Sequence, residues 1–142
     1  MKGSLRVIAL TALLAAGLAS TASAFHGERV YIANRCDGHA YKPWGVIIAC
    51  GDGNLYSTGI RFATYGGKLA VARATIHANG CFPNCAVGHF HTYAGTLRFK
   101  DIVRCDDDRL YYSVVQYRFP GPHGIGYGPI APIEAECSRI LG

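Results

Sequence analysis

No stretch of this 142-residue chain strings together the ~20 apolar side chains that a membrane-crossing helix needs. No basic residues run together either, which leaves nucleic acid without the electrostatic footprint it requires. Internal repeats and low-complexity tracts are absent, so solenoids and flexible arrays are excluded. Beyond residue 24, glutamate, lysine and leucine are scarce, which removes the residues that build surface helices. Neither a G-x-S-x-G elbow nor a zinc-protease helix occurs. With nine acids scattered along the chain, no carboxylate pair of the glycosidase kind is legible.

What is present begins with an address. Lys2 and Arg6 precede an apolar run from Val7 to Ala19 of roughly 13 residues, too short to span a bilayer. Ser20 to Ala24 then places Ala22 and Ala24 in the A-x-A arrangement that signal peptidase accepts. Residues 1–24 are therefore expected to be a signal peptide, and 25–142 a single secreted domain with no membrane attachment. That domain carries twelve basic against nine acidic residues, a mild net charge of +3.

All six cysteines, Cys36, Cys50, Cys81, Cys85, Cys105 and Cys137, fall behind the leader. In an exported domain of this size they imply three disulfides. Spacing cannot choose among the pairings. The expected pattern joins Cys36 to Cys137 and pairs the middle four among themselves, with a local Cys81–Cys85 bridge and a cross-strand alternative left open.

Richness in Gly, Tyr, Val, Ile and Thr favours sheet. Trp44 to Cys50 reads as a buried strand, Gly51-Asp52-Gly53-Asn54 as a tight reversal, and Leu55 to Tyr65 as the next strand. Gly66-Gly67 turns into Lys68 to Asn79, whose alanines at 70, 72, 74 and 78 share one face. From His89 to Cys105 the odd positions Tyr93, Leu97, Phe99, Val103 and Cys105 are apolar, while Thr92, Thr96, Arg98, Lys100 and Arg104 alternate with them. Asp106-Asp107-Asp108 makes a polar turn into Leu110 to Phe119. Residues 120–132 hold four prolines and four glycines and read as an irregular surface loop. Residues 133–141 would form a short strand or helical turn pinned by Cys137. The expected fold is all-β, a small disulfide-stabilised antiparallel meander of five or six strands closing as a barrel or sandwich, with its core in 44–119.

Several clusters could carry chemistry. Cys81, Cys85, His89 and His91 offer two thiolates and two imidazoles at zinc-ligand spacing, with His77 a further donor across the sheet. Oxidised cysteines cannot ligate as thiolates, so the bridged reading is preferred. Asp52 with Asn54, and the Asp106–Asp108 run, supply oxygens without the closing glutamate of a calcium loop, and read as turns. Phe25-His26 would become a copper-chelating amino terminus if cleavage follows Ala24.

The pair of motifs Ile48-Ala49-Cys50-Gly51-Asp52-Gly53-Asn54 and Asn79-Gly80-Cys81-Phe82-Pro83-Asn84-Cys85-Ala86-Val87-Gly88 resembles an uncharacterised family of small exported actinobacterial proteins. The likeness spans Trp44 to Phe119 and implies a secreted bacterial domain with disulfides; it implies no activity. The expectation is a binding domain without a cofactor, displaying Asp52, Asn54, Phe82, Asn84, His89 and His91 to an extracellular protein or a cell-wall glycan. Its alternatives are a small hydrolase using histidine and carboxylate groups, or a metal-binding protein.

Overall fold

The computed structural model describes residues 27–36, 38–130 and 137–139. The leader, its cleavage site and Phe25-His26 lie outside the described residues. Among those described, every regular element is a strand: β1 Val30–Arg35, β2 Gly38–Ala40, β3 Val46–Ile47, β4 Leu55–Thr64, β5 Leu69–Asn79, β6 Phe90–Cys105, β7 Leu110–Arg118, β8 Ile125–Pro129 and β9 Cys137–Arg139. They make one curled sheet, a half-barrel with the order β2-β1-β7-β6-β5-β4-β3.

The long hairpin of β6 and β7 is its spine. Along β6, β5 pairs with residues 90–100 and β9 with 103–105. Along β7, β1 pairs with 110–112 and β8 with 114–118. The neighbours from β3 to β8 run antiparallel, as expected for a meander, but β1 lies parallel to β7. The spine changes face where its neighbours change. Asp101 adopts φ 57°, and the Ser113 hydroxyl donates to its carbonyl oxygen at 2.6 Å. Leu97 and Phe99 lie in the main core before this point, and Ile102 takes over after it. Val103 and Cys105 turn instead to a second small cluster with Tyr111. The single apolar face expected from the odd positions of β6 is thus corrected: the alternation slips by one residue at Asp101.

The alanines of β5 behave as their spacing predicts. Ala70, Ala72 and Ala74 are buried, and their small side chains make room for Phe99, Tyr112 and Phe62 beneath the curled sheet. Gly59, at φ 63°, sits in a β-bulge where β4 shifts register between Thr58 and Arg61, which returns Ile60 to the core. The core also takes in Val30 and Ile32 from β1 and Ile130 beyond β8.

Two local expectations are corrected. Only Val46–Ile47 of the 44–50 segment is strand, and Trp44 is exposed. The 120–132 segment contains β8, for a physical reason that proline and glycine counts hide. Its glycines alternate with Ile125 and Tyr127, and a Cβ on Gly126 would strike the Tyr117 ring, so the bare side of the strand lies over that ring. As an edge strand it tolerates Pro129.

The disulfides are Cys36–Cys50, Cys81–Cys85 and Cys105–Cys137. The expected Cys36–Cys137 bridge is corrected: β9 sets Cys137 directly opposite Cys105, while Cys36 at the end of β1 meets Cys50 after β3. Three bridges in so small a domain are typical of extracellular proteins.

Buried tyrosines tie the ends of the half-barrel together. The Tyr65 hydroxyl donates to the Val30 carbonyl at 2.8 Å, and the Tyr112 hydroxyl to the Gly67 carbonyl at 2.7 Å. Burial pushes the phenol of Tyr65 up to about 12; burial and then the hydrogen bond to Asp107 do the same for Tyr111. An unfolded phenol ionises near 10, so the folded state holds these protons more tightly between the two values. The stabilisation is complete below about pH 10 and is withdrawn as pH rises towards 12. Urea midpoints measured from pH 8 to 12 should stay level and then fall above about pH 10, less steeply in Tyr65→Phe. A level midpoint up to pH 12 contradicts this assignment.

Candidate functional site

The two motifs that stand 25 residues apart in the chain meet at one end of the sheet, and Asn79 joins them. As the last residue of β5, Asn79 receives a backbone partner from the first motif, its N–H donating to the Asn54 carbonyl at 2.9 Å. Its side-chain Nδ2 donates to Asn54 Oδ1 at 2.8 Å and to the Cys85 carbonyl at 2.9 Å. Its Oδ1 accepts from the Cys81 N–H at 3.0 Å. One amide therefore uses both of its ends to hold the turn and the loop against each other.

Each motif is also braced internally. Asp52 Oδ1 accepts from the Asn54 N–H at 3.1 Å, an Asx turn. That backbone hydrogen bond holds the Asp52 carboxyl below its ordinary range. Asn84 Oδ1 accepts from the N–H groups of Ala86 and Val87, at 3.0 and 3.2 Å. The Cys81–Cys85 bridge closes the loop, its Phe82–Pro83 bond is cis, and Gly80 N–H donates to the His89 carbonyl at its far side. Gly88 packs so closely on Asn79 and Cys81 that a Cβ would collide with the Asn79 side chain.

Asp52, Asn54 and Asn84 are thus the frame of this end, each with a side-chain oxygen, Oδ1, accepting from the backbone or from Asn79. Apolar side chains face outward beside the exposed Asp52, Asn84 and His89. Phe82 is 85% exposed, Val87 57% and Phe90 46%. Beside them Tyr56 lies flat on His77, ring centroids 4.4 Å apart, and meets Phe90 edge-on at 5.4 Å.

The structure separates the histidines. His77 pairs with Thr92 across β5 and β6, whereas His91 pairs with Ala78, so the two imidazoles take opposite faces of the ribbon. His77 Nε2 lies 2.8 Å from Thr58 Oγ1, and His89 is exposed in the loop. No hydrogen bond or ion pair joins His77, His89 or His91 to a carboxylate among the described residues. The Cys81 and Cys85 sulfurs are bonded to each other, as in the preferred bridged reading, and do not serve as thiolate ligands. Among the described residues, no group of three or more histidine, cysteine or acidic side chains is placed to hold a metal ion.

The acidic turn is occupied too. Asp107 Oδ2 accepts from the Tyr111 hydroxyl at 2.6 Å and from Arg109 at 2.9 Å. Although burial opposes it, these donors leave the Asp107 carboxyl below its ordinary range. Arg104 bridges Asp108 and Glu28, at 3.0 and 2.9 Å.

Sequence reasoning quoted Asn79 as part of a motif and missed its role. Its position just before the loop was the available signal; the partner 25 residues away was not. No family model, curated protein or solved structure matches the chain.

Proposed function

We propose that this chain is a secreted binding domain that engages an extracellular protein through the Cys81–Cys85 loop and the aromatic residues beside it. The observation that carries the reading is the combination of an immobilised backbone with exposed apolar side chains. Phe82 and Val87 sit on a loop held by a disulfide, by Asn79 and by Asn84. An exposed phenylalanine costs solubility, and a fixed loop has already lost the conformational freedom that binding would otherwise remove. Of the two partner classes expected, an apolar tip favours protein over glycan. Three disulfides support residence outside the reducing cytoplasm.

The test uses the disulfide-bonded chain, labelled at its amino terminus, against intact cells of the source organism and against their protease-treated counterparts. Saturable binding that protease treatment removes is expected. Phe82→Ser should weaken it by about tenfold or more, as loss of an anchoring aromatic does, with an unchanged melting temperature. Equal binding by Phe82→Ser and wild type, or binding that survives protease treatment, rejects this reading.

A further inference from the structure

The cations of the sheet are segregated from its acids. Strands β4, β5, β7 and β8 contain no aspartate or glutamate, and β6 contains only Asp101, at the point where the spine changes face. The described acids lie elsewhere: Glu28 and Asp106 to Asp108 at the far end, Asp52 in its turn. On the outer face of these strands, register aligns Arg61 on β4 with Arg73 on β5, Thr96 on β6, Arg118 on β7 and Ile125 on β8. The next row along carries Val71, Arg98, Gln116 and Tyr127. Strand spacing puts neighbours in a row about 5 Å apart.

All four arginines are exposed, and none has an acidic partner among the described residues. The contrast with Arg104 and Arg109 is informative, because both of those are engaged by carboxylates. An open groove of about 900 Å³ runs between Arg73, Arg118 and the β7–β8 turn, and continues past Arg98 and Gln116 to Tyr127. Ile125 and Tyr127 stand along its edge, 76% and 80% exposed.

We infer that this face binds a linear acidic polysaccharide, a chain whose sugars carry carboxylate groups. Four uncompensated guanidiniums on a rigid sheet attract repeated anions, and each can take a carboxylate in two parallel hydrogen bonds. Repetition matters: successive arginines engage successive groups of one polymer, where a single small anion would meet only one or two. Thr96 and Gln116 offer hydroxyl and amide partners between the cations, and the Tyr127 ring offers a flat surface to a sugar. Single-stranded nucleic acid fits less well, because it draws on several exposed rings for successive bases and this groove edge presents one. The site is separate from the apolar loop, and neither depends on the other.

The probe is polygalacturonate, with neutral dextran and a single-stranded oligothymidylate as comparisons, titrated against the intact chain in about 50 mM salt, just under the screening regime of physiological strength. Binding to polygalacturonate and none to dextran is expected. The Arg73→Gln/Arg118→Gln pair should weaken it by about tenfold or more, with an unchanged melting temperature, and raising the salt should weaken it further. Arg61→Gln/Arg98→Gln is the second variant, expected to act in the same direction should the first pair prove poorly folded. Phe82→Ser should bind polygalacturonate as the wild type does, so this site and the loop can fail independently. Absence of binding, wild-type affinity in both arginine pairs, or tighter binding of the oligothymidylate overturns the inference.

Discussion

Replacing Cys105 and Cys137 together by alanine should lower the unfolding free energy by about 4 kcal/mol, the largest cost of any of the three bridges. The ranking follows from how much chain each one closes. Cys105–Cys137 spans 32 residues, Cys36–Cys50 spans 14 and Cys81–Cys85 spans 4. In the chain-entropy account, the corresponding paired substitutions cost about 4, 3 and 2 kcal/mol. Urea unfolding of the three double variants, measured without reductant, checks the order. A Cys81→Ala/Cys85→Ala variant less stable than the Cys105→Ala/Cys137→Ala one would mean that closure of the unfolded chain is not what these bridges supply. Function should rank them the other way round. The 81–85 bridge closes the loop that displays Phe82, so its loss is expected to weaken partner binding most while costing stability least.

Asn79→Asp should be more damaging than Asn79→Ala, despite matching the native shape. Asparagine presents Nδ2 to two acceptors, Asn54 Oδ1 and the Cys85 carbonyl. An aspartate oxygen in that position faces both with charge of the wrong sign, while its other oxygen still accepts from Cys81 N–H. Two donated bonds are lost and a repulsion is added, for a cost of about 2–4 kcal/mol against roughly 1–2 for alanine. The signature is its pH dependence. Crowding by acceptors raises the folded-state pKa of the new carboxyl, so the defect is present above that value and shrinks as pH falls through it, where the protonated group donates again. Urea midpoints of Asn79→Asp and wild type that differ equally at pH 7 and pH 4 would rule out the donated bonds as the cause.

Local pattern carried the sheet far and stopped at its long-range joins. The β5 alanines and the turns at Gly51–Asn54, Gly66-Gly67 and Asp106–Asp108 were legible because each depends on residues a few positions apart. The parity slip at Asp101 was not, since it needs a polar residue at positive φ and a hydroxyl from Ser113 on the neighbouring strand. The bridge pattern failed for a similar reason: pairing Cys105 with Cys137 requires knowing that β9 returns to β6. At the candidate site, the residue types of both motifs were visible, but not that Asn79 joins them through Asn54 Oδ1 and the Cys85 carbonyl. The arginine row was hidden altogether, because its members are spread over 57 residues and only strand register aligns them.

The parallel pairing of β1 with β7 has a consequence for the order in which the molecule is assembled. Val30 to Ile32 lie about 80 residues from Leu110 to Tyr112, whereas β4 through β7 pair as neighbours across connections of ten residues or fewer. Pairing over so long a separation carries the greater loop-closure cost and comes late. Until it does, the backbone of β7 at 110–112 is an open edge, and the buried Val30 and Ile32 have not yet covered their part of the core. That interval is when one copy is most apt to accept the first strand of another, so crowding during refolding will favour exchanged dimers and aggregates over the monomer.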